Sequence, residues 1–161
     1  MSRDHAQWVL PVSLLVALVL GLLPLPVWLQ PFRPHWLALV LVYWLIEAPD
    51  RVGLGIAFLM GLAVDITFGS LLGEQALRLV IIAFILQRFR ARLRFFPLSQ
   101  QALAVGALLF NDTVVTTAVH WILGLPTPPA LAWLAPLLGV LLWAPLFFLL
   151  DALRLRAWRG R

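Results

Sequence analysis

Six runs of apolar residues fill most of the chain: Trp8 to Leu29, Phe32 to Ala48, Val52 to Leu72, Ala76 to Leu86, Ala102 to Leu125 and Leu131 to Leu150. The polar connections between them are brief. Within the runs there is no clean 3.6-residue stripe, as expected of helices covered by lipid on one side and by neighbouring helices on the other. Nor is there the strict alternation that a closed transmembrane barrel requires. The pattern predicts an all-α integral membrane protein, a single polytopic domain over residues 1–161 folded as a six-transmembrane-helix bundle.

Punctuation marks the ends of these runs. Pro24 and Pro26 close the first, and Pro31-Phe32-Arg33-Pro34 opens the second. Asp50 and Ser99 are expected to cap the third and fifth helices, and Thr127 with Pro128 fits an N-cap followed by proline at the first helical position. Pro136 and Pro145 fall inside the sixth run and should bend it. The second and fourth runs have uncharged cores of only about ten residues, against the roughly 20 needed to cross the hydrocarbon. A four-span arrangement would move the Glu47 to Arg51 turn outside and Arg78 inside. Tilting, snorkelling and local thinning allow short spans to cross, which favours six.

Composition removes the soluble alternative. With 161 residues, 63% hydrophobic and 12% charged, and a mean hydropathy of +0.98, too little polar surface exists to clothe a water-soluble domain. The net charge of +5 does not point to nucleic acid, because the arginines cluster between and after the apolar runs, where topology alone demands them. Arg3, Arg51, Arg88, Arg90, Arg92, Arg94, Arg154, Arg156, Arg159 and Arg161 share one side of a six-span chain. Only Arg33, and Arg78 at the outer end of the fourth span, lie opposite, so both termini are expected in the cytoplasm. Trp28, Trp36, Trp121 and Trp133 then fall near the outer interface. No small-residue cleavage site follows the first run, so it is expected to be an uncleaved span.

The chain has no cysteine, and His5, His35 and His120 lack metal-ligand spacing, so no metal or other cofactor is expected. A nucleophile with its base, paired acids or a zinc motif is likewise missing, which argues against an enzyme. The candidates that remain are acids within apolar runs. Asp65 lies in Gly61-Leu62-Ala63-Val64-Asp65-Ile66-Thr67-Phe68-Gly69, and Asp112 lies mid-way along the fifth run. A charge at the bilayer centre costs upward of ~2.5 kcal/mol, so such acids face the bundle interior or water and have partners. Each either bridges helices or lines a cavity. Asp112, Thr116 and His120, at i, i+4 and i+8, share one helix face. Gly61 and Gly69 smooth the third run for close packing, either against another helix of this chain or against a partner. Arg88, Arg90, Arg92 and Arg94, interleaved with aromatic residues, form a candidate lipid-facing basic belt, each worth roughly 1 kcal/mol near anionic headgroups.

Taken in order, Pro31-Phe32-Arg33-Pro34-His35-Trp36, Tyr43-Trp44, Pro49-Asp50-Arg51-Val52-Gly53, the Gly61 to Asp65 segment continuing to Gly69-Ser70 and Leu72-Gly73, and Asp112 resemble the rod shape-determining MreD family over nearly the whole chain. The resemblance implies a non-enzymatic component of the bacterial cell inner membrane, multi-pass, within the cell-elongation machinery that builds lateral peptidoglycan. It implies association with MreC, and through MreC with the RodA glycosyltransferase, a class B penicillin-binding protein and MreB. It also implies a bundle similar to the substrate-binding subunits of energy-coupling-factor transporters. The expected function is a scaffold whose glycine-lined or polar-lined surface docks the membrane helix of an MreC-like protein. The alternative is a small-solute-binding or transporter subunit using Asp65 and Asp112, with His120, in a midplane cavity.

Overall fold

A computed structural model of the chain describes residues 4–159. Arg3 and Arg161, both expected on the cytoplasmic side, and the side chains of His5 and Arg159 lie outside the described residues. Six α-helices follow in order: α1 (Asp4–Leu22), α2 (Trp36–Glu47), α3 (Leu54–Phe68), α4 (Glu74–Leu93), α5 (Leu98–Ile122) and α6 (Ala135–Arg159). Single turns of 3-10 helix at Gln30–Phe32 and Ala130–Leu134 lie in the first and last connections. In hydrocarbon every backbone group must find its partner within the protein, and helices do this locally. By length and composition α5 and α6 could each cross a bilayer alone, and α1, α2 and α3 contain shorter apolar helices.

The shortest helix is the hub. α2 has 12 residues, and every side chain from Leu37 to Ile46 is buried. A helix that is apolar all round is a buried helix, which is why Leu37-Ala38-Leu39-Val40-Leu41-Val42 shows no stripe. The extensive α3–α4 and α5–α6 hairpins close around it, and α1 packs on α2 and α6. Gly61 permits the tightest of these approaches. A Cβ placed there would lie 2.8 Å from the backbone carbonyl carbon of Gln75 and closer still to Ala76, so α3 and α4 meet backbone to backbone. At the far end of α3, Gly69 (φ +62°) and Gly73 (φ +98°) occupy the left-handed region that favours glycine, and so turn the chain back into α4.

The helices alternate in direction. Glu47, Asp50, Arg51, Arg90, Arg94 and Arg154 border one recess, which gathers the ends of α2, α4 and α6 with the start of the α2–α3 connection. Val27, Gln30, Arg33, His35, Arg78 and Pro128 border another at the opposite end. Trp28 and Trp121 are exposed there, while Trp36 and Trp133 are half-buried.

Several local expectations are corrected. α3 is entered through Gly53 and α5 through Pro97, with no side-chain cap, so Asp50 and Ser99 do not cap them. Thr127 starts no helix, because the chain stays extended to Pro129 and then makes a 3-10 turn. Pro136 is the second residue of α6, where a missing N–H costs nothing, and only Pro145 is interior. The fourth helix is far longer than Ala76 to Leu86, since Arg88, Arg90 and Arg92 continue it and Arg94 is its C-cap. The basic run is therefore helical, and its residues do not all face one way. Arg90 and Arg94, four apart, border the recess with Glu47 and Asp50, whereas Arg88 is exposed and Arg92 borders the α4–α5 groove.

Candidate functional site

Asp65 is on the last full turn of α3, 1% exposed, with its carboxylate turned into the α3–α4 connection. Oδ1 accepts from Ser70 Oγ at 2.7 Å and from the Gln75 amide at 3.0 Å, while Oδ2 accepts from the amides of Gly73 at 2.8 Å and Ala76 at 3.4 Å. The first N–H groups of a helix have no intrahelical partner and carry partial positive charge. Asp65 therefore acts as the N-cap of α4, supplied from the preceding helix. Gly69 supplies the turn and Gly61 the backbone approach that bring α4 within reach.

Asp112, 2% exposed, is bound on two sides. From α4, Arg78 grips it with Nε donating to Oδ1 at 2.7 Å and Nη2 to Oδ2 at 2.5 Å, a paired fork geometry among the strongest neutralising contacts available to a carboxylate. From the start of α2, His35 Nδ1 lies 2.8 Å from Oδ2. The network continues along α4. Glu74 Oε1 is 3.9 Å from Arg78 Nη1 and 3.1 Å from His120 Nε2, and His120 Nδ1 is 2.7 Å from the Pro126 carbonyl oxygen. One chain of polar contacts thus ties α2, α4 and both halves of α5 together across the bundle. Thr116 does not touch the Asp112 carboxylate, since its hydroxyl donates to the Asp112 carbonyl at 2.9 Å.

The geometry brings Asp112 and His120 into one network and leaves Asp65 in a separate cap. Both acids are fully occupied by donors of this chain, so neither presents a free carboxylate to a solute. Arg78, Glu74 and His35 are the members that sequence reasoning passed over. The i, i+4 spacing of Glu74 and Arg78 was the available signal. Arg33 is apart from the carboxylates. Its Nη2 donates to the Leu23 carbonyl at 2.8 Å and its guanidinium stacks 5.2 Å from the Phe68 ring centre.

A second polar cluster lies at the other end of the bundle. Arg154 pairs with Glu47 and, at 2.8 Å, with Asp151, joining α6 to α2, and Trp44 Nε1 donates to Ser13 Oγ at 2.7 Å, joining α2 to α1. Among the described residues no group of three or more His, Asp or Glu is placed to hold a metal ion.

The third feature is a groove of about 390 Å³ between α4 and α5, walled by Ile85, Leu86, Phe89, Leu93, Ala104, Ala107 and Leu108. Asn111 also borders it, and its Nδ2 is buried with no hydrogen-bond partner among the described residues.

A family model described as rod shape-determining protein MreD matches residues 2–153 of the chain. A protein from Haemophilus influenzae named Rod shape-determining protein MreD is 36% identical over 154 residues, covering 95% of each chain. No solved structure matches.

Proposed function

The chain belongs to the MreD family of rod shape-determining proteins, and from that membership we propose that it is a non-enzymatic scaffold of the cell-elongation machinery, docking the membrane helix of an MreC-like single-span protein. A role in rod shape and residence in a membrane come with the family. The finer reading is a bacterial inner-membrane protein that crosses six times with both termini in the cytoplasm. It reaches RodA, a class B penicillin-binding protein and MreB through its MreC-like partner. The alternation of the six helices supports this topology, as does the gathering of Arg51, Arg90, Arg94 and Arg154 at one end.

The observation that carries the docking is the α4–α5 groove. In lipid, helices associate through close packing and hydrogen bonds, since the tails are as apolar as leucine. Ala104 and Ala107 lower the wall of the groove so that a second helix can approach. Asn111 borders the groove with its Nδ2 buried and unpaired among the described residues, and a rotation of its side chain would turn that donor to a docking backbone or side chain. The glycines of α3 are less suited to the task, because Gly61 is already covered by α4.

The cysteine-free chain makes a direct test available. Ala107→Cys should form disulfide crosslinks with cysteines scanned along the partner's membrane helix, in a pattern of helical period. Leu59→Cys, exposed on α3, should not. Crosslinks from Leu59→Cys and none from Ala107→Cys would place the partner elsewhere. A single membrane hydrogen bond is worth only about 0.6 kcal/mol on average. Asn111→Leu alone should therefore weaken co-purification modestly, and Ala107→Trp, which fills the groove, should abolish it.

A further inference from the structure

A cavity of about 230 Å³ opens between α1, α2, α3 and α4 at the Arg33 end. Its polar residues are Arg33, His35, Gln75, Arg78 and Asp112, and its apolar walls come from Ala17 and Leu18 of α1 and from Val64 and Phe68 of α3. Its charge is unbalanced. Among the described residues Asp112 is its one carboxylate, and both Asp112 oxygens are already taken by Arg78 and His35. Arg33 makes no ion pair among the described residues, and its Nε is buried with no hydrogen-bond partner among them. Arg78 Nη1 has Glu74 no closer than 3.9 Å, beyond hydrogen-bond reach. Arg33 and Arg78 also border the adjoining recess of about 430 Å³ beside Thr113 and Thr116, so two cations stand between two open spaces.

Two guanidinium groups beside apolar walls are costly without a counter-anion, and hydrocarbon offers none. The cavity that both cations border is where an anion can reach them. A carboxylate offers two oxygens and one charge, the role Asp112 already fills for Arg78. A phosphate group offers more acceptor oxygens and more charge, enough to serve guanidinium groups arriving from two different elements. The walls above the polar floor are apolar, and α1 and α3 barely touch, meeting where Gly21 faces Phe68. An apolar chain attached to the phosphate would lie along those walls and leave between the two helices.

We propose that this cavity binds a phosphate group, with Arg33 as its principal anchor and Arg78 as a second donor, and that its apolar walls select a phosphate carried on a hydrocarbon chain. The site is independent of the α4–α5 groove, so it stands or falls apart from the scaffold reading. The test is calorimetric titration of the full-length protein in neutral detergent with dodecyl phosphate and, separately, with inorganic phosphate. Dodecyl phosphate should saturate at one per chain, and Arg33→Gln should weaken it at least about tenfold, the loss expected for a charge-assisted contact. Arg156→Gln, exposed near the end of α6, should bind as the parent does. Binding of dodecyl phosphate alone identifies a lipid as the source, and binding of inorganic phosphate as well supports the same site with the headgroup sufficient. If Arg33→Gln fails to fold, Leu18→Trp fills the cavity with Arg33 retained and should abolish dodecyl phosphate binding. The proposal is overturned if neither probe saturates, if Arg33→Gln or Leu18→Trp binds as the parent does, or if Arg156→Gln loses as much as Arg33→Gln.

Discussion

Replacing Arg78 with methionine removes the principal partner of Asp112 while keeping an unbranched apolar stem. The parent side chains are 7% and 2% exposed, so the carboxylate left behind has no water to fall back on and keeps only His35. Removing one member of a buried pair typically costs about 3–5 kcal/mol, because an uncompensated charge remains. Replacing both members by apolar residues of similar volume is often neutral or stabilising. Here the double variant Arg78→Met with Asp112→Leu also strips His35 of its partner, so a residual loss of about 1–2 kcal/mol is expected from that unsatisfied group. At roughly 2–4 °C per kcal/mol for a chain of this size, the single variant should unfold about 6–20 °C lower, and the double variant should recover most of that loss. Fluorescence-detected thermal unfolding in detergent, with Arg88→Gln as the exposed control, makes the comparison. An Arg78→Met variant as stable as Arg88→Gln, or a double variant less stable than both singles combined, would refute the idea that this pair holds α4 to α5.

Asp65→Asn keeps one acceptor oxygen but turns an NH2 group toward amides that are themselves donors, so a loss of roughly 1–3 kcal/mol is expected. Amide hydrogen exchange should quicken first at Gly73, Gln75 and Ala76, and unchanged exchange there would show that the cap is dispensable. Gly61→Val forces α3 and α4 apart at Ala76, and the overpacking should cost about 1–3 kcal/mol or more. Gly55→Val on the same helix, where nothing lies within 4 Å of the added Cβ, should be tolerated, and equal damage from both would point to helix propensity instead. At the other end, Arg154→Gln breaks contacts that are 28% exposed on the arginine side. Its thermal shift should be no more than that of about 1 kcal/mol, and a collapse comparable to Arg78→Met would mean that this cluster, too, is sealed from water.

The hydrophobic runs made the helices legible because backbone satisfaction in lipid leaves the chain few other options. The ends were less so. α4 outruns its apolar core because arginine is a good helix former and its long stem lets the charged head lean away from hydrocarbon. The capping assignments to Asp50, Ser99 and Thr127 failed because the chain enters α3 and α5 on glycine and proline, while the acid that does cap a helix, Asp65, belongs to the helix before it. Asp65 and Asp112 stood out by what a carboxylate costs in a bilayer. Their partners did not, since Arg78 is 34 residues from Asp112 and His120 is 46 from Glu74. Positive-inside reasoning had reduced Arg78 to a count of charges per side. The buried role of α2 was hidden in its brevity, which read as an incomplete crossing.

The proposed six-crossing topology turns the Arg33 end of this bundle away from the cytoplasm and the Arg154 end toward it. Single cysteines at Gln30 and Asp50, placed in a chain that has none of its own, decide this with a membrane-impermeant thiol reagent applied to intact cells. Labelling of Gln30→Cys with protection of Asp50→Cys until the cells are opened is the expected result. Labelling of Asp50→Cys from outside would contradict the six-crossing topology on which the account is built.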